Sequence, residues 1–87
     1  MKPVWKFSLE LGKIPIIMPC GAQVLCVMTQ RETPTIWALV DPESDQERRL
    51  FAVVGTGHPL PHGEARYIGS TMTMKGALVW HVFEMLR

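Results

Sequence analysis

Apolar and polar residues alternate with a period of two along most of this chain, and that period predicts strands. Over residues 4–10, Trp5, Phe7 and Leu9 take one face while Lys6, Ser8 and Glu10 take the other, as in a half-buried strand. Ile16 to Met18 is a short apolar run ending at Pro19. Ala22 to Gln30 is a second clear strand, with Val24, Cys26 and Met28 pointing one way and Leu25 and Val27 the other. Thr35 to Asp41 opposes Ile36, Ala38 and Val40 to Trp37 and Leu39. Arg48 to Val54 sets Phe51 and Val53 on the face of Arg49. Ala65 to Ile68 and Ser70 to Met74 read as one strand bent at Gly69. Residues 77–85 carry two patterns. Leu78, Val82 and Met85 fit a helical stripe, but the content of Val, Trp and Phe favours a strand.

Turn residues punctuate these runs. Gly12 and Pro15 bound one turn, Cys20-Gly21 make the next, and Arg31 to Pro34 close a hairpin. Pro42 to Gln46 is a polar loop, and Lys75-Gly76 suits a second hairpin. No interval free of Pro and Gly exceeds twelve residues, which excludes a helical bundle. A short helix over 43–49 is a minor alternative, beside the helical reading of 77–85. The fold class expected is all-β: a small antiparallel β-sandwich or partly open barrel of about six or seven short strands. Residues 1–87 form a single β domain.

Composition adds a demand for cover. A chain of 87 residues has a thin core, yet 47% of it is hydrophobic, including three Trp, three Phe and six Met. Strands that are apolar on both faces need covering twice. A sheet folded on itself supplies one cover, and a second copy of the chain supplies the other. A homo-oligomer is therefore expected.

Charge narrows the partners. The net charge is +1, and only Arg48 and Arg49 among the basic residues are adjacent. Nucleic-acid binding is not expected from that balance. A small anionic ligand needs only two or three placed cations and stays open. Cys20 and Cys26 read as reduced thiols, and their spacing suits no zinc site. No metal and no cofactor is expected. Residues 1–6 lack an apolar signal segment, and no run reaches the roughly 20 apolar residues of a membrane span. The expected setting is cytoplasmic, without a membrane.

The stretch Gly55-Thr56-Gly57-His58-Pro59-Leu60-Pro61-His62-Gly63 cannot continue a helix or a central strand. It is the first candidate for a ligand site. Backbone N–H groups freed by Gly55 and Gly57 would face an anion, with Thr56, His58 and His62 at the rim. The alternative is a connection in which Gly and Pro serve geometry alone. His58 and His62 are four residues apart with two prolines nearby, so they are not read as metal ligands. His81 lies in an apolar strand, as a core or interface histidine or as a ligand contact. Arg48 and Arg49 face opposite sides of their strand. Either reaches a ligand, or pairs with Glu47 or Asp45; Arg66 has the same standing. Trp37 and Trp80 are read as core aromatics, and Asp41 as the opener of a turn. No catalytic order of residues stands out, so the chain is not expected to be an enzyme.

Several motifs occur in a fixed order: Trp5-Lys6, Met18-Pro19, Trp37-Ala38-Leu39-Val40-Asp41-Pro42, Gly55-Thr56-Gly57-His58-Pro59, Tyr67-Ile68-Gly69, and Gly76 through Glu84. Together they resemble a family of small uncharacterised proteins of tailed bacteriophages and prophages, over nearly the whole chain. The resemblance implies a phage accessory protein acting in the cytoplasm of a bacterial host, and it transfers no catalytic residue. The expectation that follows is a non-enzymatic counter-defence protein, in which an oligomer pocket sequesters a small nucleotide-type immune signal. The alternatives are a protein–protein module that directly inhibits a host factor, and a structural or assembly component of the phage.

Overall fold

The computed structural model describes residues 1–86, which form seven strands and no α-helix. The strands are β1 (Val4–Ser8), β2 (Gly12–Pro19), β3 (Gln23–Gln30), β4 (Thr33–Leu39), β5 (Gln46–Gly55), β6 (Ala65–Thr73) and β7 (Leu78–Met85). One sheet has the order β1-β4-β3, and the other has the order β2-β5-β7-β6. Every pairing is antiparallel. The chain changes sheet between β1 and β2, β2 and β3, and β4 and β5. The result is a small two-sheet β-sandwich, not closed into a barrel.

The two-residue period decides what lies between the sheets. Ile36, Ala38 and Val40 of the β4 segment are buried, while Trp37 and Leu39 face outward and are half-buried. From the other sheet, Phe51, Val53 and Val82 meet them, together with Met18 and Leu9. Burying a side chain the size of Phe51 or Ile36 contributes roughly 1.5–3 kcal/mol. Trp80 packs against the edge of this core, and its indole N–H donates to Thr73 Oγ1 at 2.9 Å. The segment 77–85, which carried two patterns, is strand from Leu78, paired with β5 on one side and β6 on the other.

Three expectations need correction. Gly12 and Pro15 do not bound a turn; both lie inside β2, and the bend falls before Gly12. Strand β2 is a sheet edge, where a residue without an N–H is tolerated. Residues 43–49 form no helix, since β5 begins at Gln46. Val24 does not share a face with Cys26 and Met28. A β-bulge at Leu25 breaks the alternation, so Val24 and Val27 point inward while Cys26 and Met28 point out.

The expected bend at Gly69 is a second bulge, between Tyr67 and Gly69. It has a steric cause. A Cβ on Gly69 would lie 2.8 Å from Val27 Cγ1, so β3 can approach β6 only where glycine stands. The two strands are the facing edges of different sheets. They run in the same direction, with Val27 beside Gly69 and Thr29 Oγ1 within 2.7 Å of Thr71 Oγ1. Both hairpin turns at that end of the sandwich use left-handed residues other than glycine. Arg31 and Glu32 have φ of 50° and 60°, and Met74 and Lys75 have 50° and 55°. Glu32 Oε2 accepts the Met74 N–H at 2.7 Å and ties one turn to the other.

Candidate functional site

The glycine-rich stretch begins at the end of β5. Gly55 pairs with Trp80, and a Cβ there would stand 3.3 Å from Trp80 Cζ3 and 3.4 Å from His58 Nδ1. Glycine lets the indole and imidazole close over the backbone, where a Cβ would make the indole give by a few tenths of an ångström. Gly57 has φ of +90°, a conformation that favours glycine. The N–H of Thr56 donates to the Val79 carbonyl and that of His58 to the Gly55 carbonyl. Those two donors are engaged by the protein itself rather than directed at an anion. Beside them lies a hollow of about 380 Å³, lined by Gly55, Thr56, His58 and residues 77–80. His58 and His62 are exposed.

Thr56 and His81 do meet. His81 stands half-buried on the outer face of the four-stranded sheet, with Nε2 2.7 Å from Thr56 Oγ1 and Nδ1 2.8 Å from Ser70 Oγ. Ser70 Oγ lies in turn 2.7 Å from Tyr67 Oη. A neutral imidazole donates through one nitrogen and accepts through the other. Four side chains from β6, β7 and the loop thus form one hydrogen-bonded chain across the sheet surface. Thr56 and His81 belonged to the expected set; Ser70 and Tyr67 did not. Their register opposite His81 and Phe83 follows from the bulge at Ile68, which a single strand's pattern does not reveal.

The two arginines part company as expected. Arg48 is exposed on the outer face, and Arg49 turns inward. Gly55 is six residues from Arg49 along β5, roughly 20 Å at the strand rise. The arginines and the loop therefore form no single site. Arg49 grips Glu84 with both arms of its guanidinium, Nε to Oε2 at 2.7 Å and Nη2 to Oε1 at 2.9 Å. Its remaining nitrogen, Nη1, donates to the Ala22 carbonyl at 2.6 Å and lies 3.8 Å from Glu47 Oε2. Arg66 reaches the same carboxylate more loosely, at 3.3 Å.

The protonation states follow from this packing. Burial alone would push the Glu84 carboxyl upward. The hydrogen bonds and charges of Arg49 and Arg66 outweigh it and hold the group below its ordinary value of 4.5. The hydrogen bonds Arg49 donates to Glu84 raise Arg49 against the opposing effect of burial, with help from the charges of Glu84 and Glu47. Glu84 is the residue that sequence reasoning missed. It lies 35 positions from Arg49, and its register opposite Phe51 and Arg66 exists only in the assembled sheet.

Among the described residues, no group of three or more His, Cys, Asp and Glu side chains is placed to hold a metal ion. No helix there is long and apolar enough to cross a membrane. Both cysteines are free thiols, Cys20 exposed and Cys26 half-buried.

Fold and polar clusters together define a small antiparallel β-sandwich with one ion-paired network between its sheets and one network of hydroxyls and an imidazole on its surface. The chain belongs to the family described as "Domain of unknown function (DUF7352)", whose model matches residues 1–87. No match was found among curated proteins or among solved structures.

Proposed function

We propose that this chain is a non-enzymatic binding protein of a bacteriophage or prophage. It acts in the bacterial cytoplasm as a homo-oligomer built through the outer face of the four-stranded sheet. One observation carries the reading: that face is apolar and uncovered in the single chain. The register places Pro15, Leu50, Val54, Phe83 and Val79 across it, exposed or half-buried around a fully buried Ala52. Ile17, Tyr67 and Met72 on the same face are each 58% exposed. Exposed apolar patches of this kind mark interaction sites. The chain Thr56–His81–Ser70–Tyr67 runs through the patch and gives a partner copy polar groups to match.

The finer reading is counter-defence, with a nucleotide-type immune signal sequestered between protomers. Thr56 and His81 lie together on the face that would enclose such a pocket, and a partner copy would have to bring Arg48, roughly 20 Å away along β5, to them. The phage setting rests on the resemblance of the ordered motifs. The test is native mass by light scattering, for the protein as purified and for Tyr67→Glu with Met72→Glu. A discrete oligomer that the double substitution converts to a folded monomer is expected, and nucleotide carried or taken up by the oligomer supports sequestration. A wild-type monomer overturns the oligomer. An oligomer that takes up no nucleotide and captures one host protein replaces sequestration with direct inhibition.

A further inference from the structure

A cleft of about 380 Å³ opens between β3 and β6, the facing edges of the two sheets. At one end of these strands, Thr29 and Thr71 close the gap by a hydrogen bond, and Val27 closes it against Gly69. Toward the other end the edges separate. Both β-bulges fall at that point, Leu25 on β3 and Ile68 on β6. Each bulged residue lines the cleft, and Leu25 is 48% exposed. Bulges re-aim side chains at edges and beside sites, and here two of them turn apolar groups toward one space.

The floor is charged and already ordered. Arg49 and Glu84 line the cleft and hold each other bidentately, with side chains 14% and 8% exposed. Arg66 stands at the mouth with a side chain 63% exposed. Only its Nη2 meets Glu84, at 3.3 Å, whereas a guanidinium has five N–H donors. Glu47 stands 3.8 Å from Arg49, so the four charges sum to zero, and it is the exposed Arg66, with donors to spare at the mouth, that suits one carboxylate. A dianion would be repelled by Glu84. A volume of this size falls at the small end of ligand pockets.

We propose that the cleft between β3 and β6 binds a small organic monocarboxylate, its carboxylate on Arg66 and its apolar body between Leu25 and Ile68. The cleft shares Tyr67 with the outer sheet face and is otherwise lined by other residues, and the proposal does not depend on self-association. The probes are benzoate, neutral benzamide and inorganic phosphate, titrated into the isotopically labelled full chain while amide resonances are followed. Saturable benzoate binding is expected, with shifts centred on Leu25, Arg66 and Ile68. Benzamide and phosphate should fail to match it. Arg66→Gln should weaken benzoate by about tenfold or more, with the remaining spectrum unchanged because that side chain is largely exposed. Leu25→Ser should weaken it without altering the preference for an anion. No saturable benzoate binding, shifts that fall elsewhere, undiminished binding by Arg66→Gln, or phosphate bound as well as benzoate would each overturn the proposal.

Discussion

The two polar networks of this sandwich share one central strand, β7, and behave as opposites. Arg49–Glu84 lies between the sheets, charged and nearly removed from water, and its geometry is bidentate. Thr56–His81–Ser70–Tyr67 lies on the outer face, with hydroxyls that swivel. In the first network every member has one possible role, because a guanidinium only donates and a carboxylate only accepts. In the second, each hydroxyl donates or accepts as its neighbour requires. The inner pair therefore fixes the relation of β5 to β7 and of both to the Ala22 carbonyl before β3. The outer chain adapts to whatever approaches it. A site for stability and a surface for contact are thus separated by the thickness of one sheet.

The largest expected effect comes from breaking the inner pair. Glu84→Ala leaves the inward-turned Arg49 guanidinium with only the Ala22 carbonyl and, at 3.8 Å, Glu47, and should cost about 3 kcal/mol of stability. The measurement is a denaturant midpoint at neutral pH. Replacing both partners, Arg49→Met with Glu84→Leu, should recover much of that loss, because the desolvation of two charges disappears with them. A double variant as unstable as Glu84→Ala alone would show that shape, not charge, holds this end together.

Acid provides a second test of the same pair. Arginine contacts lower the folded-state value of Glu84 below its ordinary 4.5. The ionised carboxylate thus contributes stability that is full above that ordinary value and is lost as pH falls through the lowered one. Wild type should lose stability on acidification below about pH 4.5 more steeply than Glu84→Gln, which has no such proton to take up. Parallel curves for the two proteins would remove Glu84 from the account.

A smaller loss is expected where the two sheets touch. Gly69→Ala places a methyl 2.8 Å from Val27 Cγ1, and overpacking of this kind costs roughly 1–3 kcal/mol. Val27→Ala makes room for it. The double variant should therefore be less destabilised than the sum of the single ones, a coupling that thermal or denaturant unfolding reads directly. Strict additivity would mean that β6 simply moves away from β3, and that the cleft between them is looser than it stands here.

What the sequence disclosed follows the range of each signal. Period-two alternation is local, so the inward set Ile36, Ala38, Val40, Phe51 and Val53 was legible, as was the opposition of Arg48 to Arg49. The all-β class and the hairpin at Arg31–Glu32 were legible for the same reason. Bulges are not local in that sense. Leu25 reverses the face of everything after it in β3, and nothing in the residues 22–30 alone marks it. Gly69 did signal a bend, but its cause is Val27, forty-two positions earlier. The Gly55–Gly63 stretch drew attention because its composition is unusual. Gly55 there makes room for Trp80 and His58, and Gly57 serves a positive φ. Glu84, which organises the charged end, sits in ordinary strand sequence and becomes visible only through register, whereas Arg66 was named beforehand as a cation that reaches a ligand or pairs with an acid.

The smallest expected effect sharpens the comparison most. Ser70→Ala removes the centre of the outer chain, yet Ser70 and Tyr67 are exposed and water replaces the lost bonds. Its cost to the single chain should be at most about 1 kcal/mol, the net value of a neutral hydrogen bond. His81 would keep Thr56, and Tyr67 would lose the contact that orients its hydroxyl. On the proposed oligomer face the same change acts differently, because a partner copy excludes the water that would compensate. Ser70→Ala should then shift the association equilibrium more than the unfolding midpoint measured under dissociating dilution. Paired light-scattering and unfolding measurements separate the two. An equal change in both, or a loss of stability as large as that of Glu84→Ala, would place the outer chain among the elements that hold the fold rather than those that present it.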